Sequence, residues 1–374
     1  MRSRVTRSRL IAGAAAGLAA AGLLAWAVYP AQPIAARPAA DRGAQSTPTP
    51  VPSGPALPSP PGTQPVPRVT PPGTAAPSPT PLPPPARTAQ PTAGPFTAGL
   101  RIGAFTGGQS LASFDAKVGQ AVLTVSYVRW GTPVRWLAHV VAAAAAARAE
   151  PVLELYPGPL GHNARQIAAG AGGSEGWLAS FGRTIAQTGD PVTISFFPEM
   201  NGPWRQWWSQ GPANYIRAFR HVHAVLSARA GPLITWFWQP SAMHNANPDP
   251  MPWWPGSGYA DIVALDGYYY FPHDTFDAIF GATIKLVRRA APAVPMMVGE
   301  TAAGPMYGRQ AWEVGNLFAG IRGHRLLGLV WFNRDQHYQP YQFHQDWRLQ
   351  DHPGALAAFR ACLRRYGPLA RLLS

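Results

Sequence analysis

The chain has 374 residues, 43 of them proline, a formal net charge of +14 and a single cysteine, Cys362, which excludes an internal disulfide. The charge excludes less than its size suggests, because residues 1–95 hold eight Arg and one Asp, and the remaining Arg and Lys are scattered. The longest basic cluster of the later part is Arg288-Arg289, so the basic stripe that nucleic-acid binding requires is missing and no nucleic-acid partner is expected.

In chain order, Arg2, Arg4, Arg7 and Arg9 precede an uncharged apolar stretch from Leu10 to Tyr29. Positive residues stay on the cytoplasmic side, so residues 1–29 are expected to carry the rest of the chain out of the cytoplasm. They act either as a signal peptide cut near Ala25-Trp26-Ala27 or as an uncut anchor that attaches the protein to the membrane through residues 10–29. Residues 30–96 come next, with 22 prolines between Pro30 and Pro95 and no aromatic residue in that interval. They cannot bury enough apolar surface to offset ordering and are expected to form a disordered Pro-rich linker.

From residue 97 to 374 the chain reads as one domain. Eight short apolar runs occur: Leu100–Phe105, Ala121–Val128, Pro151–Leu155, Val192–Phe197, Leu233–Phe237, Asp261–Leu265, Val294–Val298 and Leu326–Phe332. Helical patterns separate or succeed them at Val134–Arg148, Trp177–Ala186, Tyr215–Ala230, Thr275–Arg289, Tyr307–Gly320 and Pro353–Tyr366. This alternation predicts an α/β fold, a (β/α)8 TIM barrel. A doubly wound open sheet fits less well, since it usually has fewer strands and no Gly-x-Gly-x-x-Gly comes after the first run.

The polar residues of this register fall at strand ends, where such barrels keep their chemistry. Glu154 ends the third run, Glu199 comes after the fourth, Trp238 and Gln239 after the fifth, Asp266 and Tyr268 after the sixth, Glu300 after the seventh, and Trp331 and Asn333 close the eighth. Two carboxyls among many tryptophans are what glycoside hydrolysis needs: one to protonate the departing oxygen, one to act as nucleophile or base, and flat faces for sugar rings. Glu199 and Glu300 are the candidates, although a strand-end Glu can also simply pair with an arginine at the rim. Asn201 either bonds a sugar hydroxyl, orients Glu199, or makes the turn before Gly202. Trp204 and Trp331 are the expected sugar contacts. Trp238, Asp266 and Glu154 are also placed with the substrate, Asp266 alternatively bracing the loops beside it. Tyr268 is in range to hydrogen-bond the nucleophile. The histidines show no metal-ligand spacing, His337, His344 and His352 lying in a C-terminal loop, and no metal or cofactor is expected.

Through Gly103-Ala104-Phe105-Thr106-Gly107-Gly108, Glu199-Met200-Asn201-Gly202-x-Trp204, Trp236-Phe237-Trp238, Leu265-Asp266-Gly267-Tyr268, Gly299-Glu300 and Trp331-Phe332-Asn333, the chain resembles glycoside hydrolase family 26, the family of β-mannanases and related β-glucanases. That resemblance implies a (β/α)8 barrel and a retaining double displacement, with Glu199 as acid/base, Glu300 as nucleophile, Tyr268 steadying the nucleophile, and Trp204 and Trp331 near the cleavage site. Two departures stand out: Pro198 where many members have His, and Leu153-Glu154-Leu155-Tyr156-Pro157 in place of a Trp-Glu-Pro.

The function expected is an exported endo-β-glycanase acting on a polysaccharide such as β-1,4-mannan or mixed-linkage β-glucan, as a monomer, with Glu199 in a partly apolar setting. The alternative is a catalytically inactive carbohydrate-binding barrel attached to the envelope, whose two carboxylates would stand far apart or be locked in salt bridges.

Overall fold

The computed structural model describes residues 99–366, apart from 158–162, 172, 206, 245–246 and 339–342. The expected export segment (1–29) and linker (30–96) lie outside the described residues.

β1 (Arg101–Phe105) is followed by α1 (Leu111–Lys117), β2 (Leu123–Arg129) by α2 (Val134–Ala146), and β3 (Glu150–Tyr156) by α3 (Ala164–Ala168) and α4 (Ser174–Thr188). β4 (Val192–Phe196) leads into α5 (Pro212–Ala230). Among the described residues, the connection from β5 (Ile234–Trp238) to β6 (Ile262–Asp266) holds no α-helix, only a 3-10 turn at Met251–Trp253. A π turn at Asp277–Gly281 runs into α6 (Ala282–Ala290), then come β7 (Met296–Thr301), α7 (Gln310–Gly323) and β8 (Gly328–Phe332). An antiparallel hairpin of β9 (Asp335–Tyr338) and β10 (Phe343–Asp346) precedes α8 (Pro353–Tyr366).

β1 to β8 form a closed parallel barrel in sequence order, sealed by pairing β1 to β8 from Arg101↔Gly328 to Phe105↔Phe332. The chain is therefore a (β/α)8 barrel, and the open-sheet alternative fails on that closure. Both faces of β4, β6 and β8 are covered, which is why every residue of these strands is buried, the polar Thr193, Ser195 and Asp266 included. Local signals set the helix ends. α5 has Pro212 in its first turn, where a missing N–H costs nothing, and α4 stops at Gly189 in the left-handed region (φ 71°).

Three details differ from the sequence reading, the first being α1, which lies outside the helical patterns named above. The C-terminal loop expected around His337 and His344 is the β9–β10 hairpin, in which these two histidines are cross-strand partners. The sequence pattern does not mark α3; its five residues are fixed by a capping box between Asn163 and Gln166.

Candidate active site

The C-terminal end of β4 sets the first carboxyl. Phe197 and Glu199 both take left-handed backbone angles (φ 47° and 54°), unusual for residues with a Cβ. The strand stops there, and Glu199 gives its N–H to the Gln239 carbonyl at 2.7 Å. The cost of such angles, about 1–2 kcal/mol each, is offset by packing. Phe197 stacks on Phe196 (4.1 Å) and lies against Trp207 (5.2 Å), whose Nε1 donates to the Pro198 carbonyl. Gly202 is needed because a Cβ there would meet the Trp204 ring at 2.5 Å. Folded back over this glycine, Trp204 donates Nε1 to Glu199 Oε2 at 3.2 Å. Arg205 donates to the same oxygen in an ion pair, so the partly apolar setting expected for Glu199 is replaced by a charged one.

The end of β7 sets the second. The β6–β7 register shifts at Leu265/Asp266, so that Leu265 faces Val298 but Asp266 faces Glu300. Gly299 is the skipped residue, and a Cβ on it would meet Ala264 Cβ and Asp266 Oδ1, both at 2.8 Å. This bulge re-aims Glu300. Tyr268 donates its hydroxyl to Glu300 Oε1, the placement expected for it.

Glu154 and Asp266 complete the cluster. Gln239 Nε2 donates to Glu154 Oε1 at 2.9 Å and to both Asp266 oxygens at 3.1 Å. Tyr156 donates to the other Glu154 oxygen at 3.0 Å. Burial dominates the electrostatics. It pushes Glu154 up to about 7, against the opposing Gln239 and Tyr156 hydrogen bonds and Arg205. It also raises Glu300 well above the usual carboxylate range, reinforced by Glu154 and Glu199, and raises Asp266, reinforced by Glu300, Glu199 and Glu154. Carboxyls that feel one another this strongly titrate as a group, and protons belong to the cluster rather than to one residue. Arg205 is held well above its ordinary value: burial opposes its charge, but Glu199, Tyr156 and Glu300 outweigh it.

Three expected substrate contacts are placed elsewhere. Asn201 is fully buried and its side chain is committed to protein: Nδ2 donates to the Ser241 and Pro248 carbonyls (2.9 and 2.8 Å), and Oδ1 accepts from Ser241 N–H (2.9 Å). Trp331 is fully buried on the outer side of the barrel, 5.6 Å from Phe359 of α8, with Nε1 bonded to the Trp347 carbonyl. Trp238 is likewise buried, edge-on to Trp254 at 4.8 Å. None of the three presents a face to a sugar.

Residues that the sequence pattern does not single out line the mouth instead. Phe105 contacts Tyr127 (4.9 Å) and Phe332 (4.7 Å), Tyr127 contacts Tyr156 (5.3 Å), and Tyr156 contacts Trp207 (5.4 Å), an aromatic belt around the carboxyls. A signal for Tyr156 is present: two residues from Glu154 on one strand, it shares that residue's face. Arg205 is equally visible, directly after Trp204, but a single arginine carries no periodicity to single it out.

Residues 178–305 match the profile of Glycosyl hydrolase family 26, a span that contains Glu199, Arg205, Tyr268 and Glu300 but not Glu154, Tyr156 or Trp331. Endoglucanase H of Acetivibrio thermocellus is 24% identical over 289 residues, covering 72% of this chain and 31% of that protein. Mannan endo-1,4-beta-mannosidase A and B of Caldalkalibacillus mannanilyticus is 34% identical over 97 residues, 23% of this chain and 18% of its own length. The chain thus spans under a third of the length of the curated relatives it matches. A solved Cellulomonas fimi endo-beta-1,4-mannanase double mutant superposes with a TM-score of 0.54 at 16% identity, over 71% of this chain and 70% of that one, a likeness of fold. The segment 178–305, which runs through the closed barrel, is thus similar in sequence to glycosyl hydrolase family 26.

Proposed function

We propose that the barrel is a retaining endo-β-glycanase that cuts β-1,4-linked polysaccharide of the mannan or mixed-linkage glucan type. One observation carries the reading. Glu199 and Glu300 come from different strand ends, are held by different donors, and lie within each other's electrostatic reach in one buried cluster. The names of the relatives, an endoglucanase and a mannan endo-1,4-beta-mannosidase, support the substrate class.

In the first step a Glu300 oxygen bonds to the anomeric carbon while the bond to the glycosidic oxygen breaks. The leaving oxygen keeps the electron pair and takes the proton of Glu199. In the second, Glu199 accepts a proton from water, the water oxygen bonds to the same carbon, and Glu300 departs as carboxylate. Retention results from two inversions.

The ion pair on Glu199 is the one observation on the side of a binding-only barrel. It occupies a single carboxylate oxygen, which leaves the other for chemistry.

The test is digestion of mannan and mixed-linkage β-glucan with proton NMR of the first products. Cleavage that releases the β-anomer first, and falls roughly 10³-fold or more in Glu300→Ala, is the expected result. No cleavage of either polymer, or release of the α-anomer first, would sink the reading. We also propose an extracytoplasmic location, on the basis of Arg2, Arg4, Arg7 and Arg9 before the Leu10–Tyr29 stretch. Cell fractionation with an antibody to the barrel tests it, and recovery in the cytosol would overturn it.

A further inference from the structure

We propose that Arg205 is a positioning residue that commits Glu199 to one reacting oxygen, Oε1, for both halves of the reaction. The inference rests on the glycosidase reading above. Among the described residues the donors to the Glu199 carboxylate, Trp204 Nε1 and the Arg205 guanidinium, converge on Oε2. Among the described residues no hydrogen bond reaches Oε1. A cation on Oε2 makes that oxygen the wrong place for a proton, because protonation there exchanges a charge-assisted hydrogen bond for a clash of two donors. The acidic proton therefore belongs on Oε1.

The arginine itself is fixed from behind. Its guanidinium carbon is 5.6 Å from the centre of the Tyr156 ring and 5.4 Å from that of Trp207, and these two rings meet nearly at right angles (75°). A planar cation in the corner of two aromatic faces gains from both and has little freedom to swing away. Its backbone N–H is bonded to the Gly202 carbonyl at 3.0 Å, so the turn that brings Trp204 over the glycine also aims Arg205. The Arg205 and Glu199 side chains are only 12% and 11% exposed, which limits screening of the pair.

The consequence for the reaction is specific. As the glycosidic bond breaks, Oε1–H passes its proton to the leaving oxygen, and Glu199 is left as a carboxylate whose charge Arg205 meets at Oε2. Oε1, which no described residue engages, then takes the proton of the incoming water. One oxygen gives and receives, and the other stays clamped. Arg205 thus assists the step in which a proton must be delivered, and has little to do when the leaving group needs none.

That distinction is the test. The full-length protein and its Arg205→Met and Arg205→Lys variants are assayed on polysaccharide and on the dinitrophenyl glycoside of an oligosaccharide from the same polymer, whose leaving group departs without protonation. Arg205→Met is expected to lose about 100-fold in kcat/KM on polysaccharide and less than about fivefold on the activated glycoside. Arg205→Lys, which keeps the charge, is expected to recover about tenfold of the loss on polysaccharide. Should Arg205→Met fail to fold, Arg205→Lys alone carries the test, with about a tenfold loss on polysaccharide and none on the activated substrate. Equal losses on both substrates, or a lysine variant no better than methionine, would show a merely structural arginine and overturn the proposal. A wild-type protein that cleaves neither substrate overturns the glycosidase reading instead, and this assignment with it.

Discussion

Glu313 and Glu154 are both buried and both pushed up to about 7, chiefly by burial, yet they sit in different parts of the molecule. Glu313 is on α7 and feels Arg309 and Asp274, whereas Glu154 is in the mouth. An unfolded glutamate titrates near 4.5, so in the window from there to about 7 the native state keeps a proton that the unfolded chain has released. Stability is then fully present below the unfolded value and is lost as pH rises through the folded one. Wild-type Tm is expected to be lower at about pH 8 than at about pH 5. Glu313→Gln is expected to raise Tm at the higher pH and leave kcat unchanged. Glu154→Gln is expected to raise it as well but to lower kcat, because it alters the charge beside Glu300. Thermal melts at the two pH values, paired with activity, check both. Asn201 gives a prediction of another kind. Its three hydrogen bonds tie the Glu199 turn to Ser241 and Pro248, and Asn201→Ala leaves buried groups unpaired at about 1–3 kcal/mol each. Chemical denaturation should show that loss.

Strand ends behave as units, and the bulge in β7 is the most consequential. Gly299→Ala places a methyl group against Ala264 and Asp266, so an overpacking cost of about 1–3 kcal/mol is expected. A loss of activity near 10²-fold should accompany it as Glu300 shifts. Denaturation and rate measurements on the one variant test whether the two effects travel together. The same scale explains what can and cannot be read from the residues. The buried runs, the Gly and Pro punctuation of α4 and α5, and the polar residues at strand tips are local, so the barrel and the Glu199–Tyr268–Glu300 set are legible. Trp331 is misplaced by the sequence reading because strand side chains alternate faces: Phe332 points into the mouth against Phe105 and Tyr268, which leaves its neighbour facing α8. A one-residue difference in parity decides between sugar platform and helix packing, and composition does not record parity. The β9–β10 hairpin lacks an apolar alternation to reveal it, and the aromatic belt is assembled from residues far apart along the chain.

Across the whole molecule, net charge and active site are decoupled. The chain carries +14, but one arginine stands among four carboxyls in the mouth, and the other basic residues are dispersed. A neutral polysaccharide gives this charge little to steer, and screening acts within about 10 Å at moderate salt. Raising ionic strength tenfold is therefore expected to change kcat/KM by less than about twofold. A steep fall would point to an anionic glycan. Barrel closure distributes the work: eight strands hold the frame, while the C-terminal ends of β3, β6 and β7 and the turns after β4 and β6 carry the reactive groups.

The backbone reversal at Phe197 and Glu199 has an implication for engineering. Because both residues adopt an orientation that neither a strand nor a helix can continue, the segment from Phe196 to Trp204 cannot absorb a length change by sliding along its neighbours. Grafting the pentapeptide around the acid into another barrel would transplant the letters without the scaffold of rings that makes the contortion tolerable. Loop libraries for retuning substrate choice belong on the other strand exits, with this stretch left untouched.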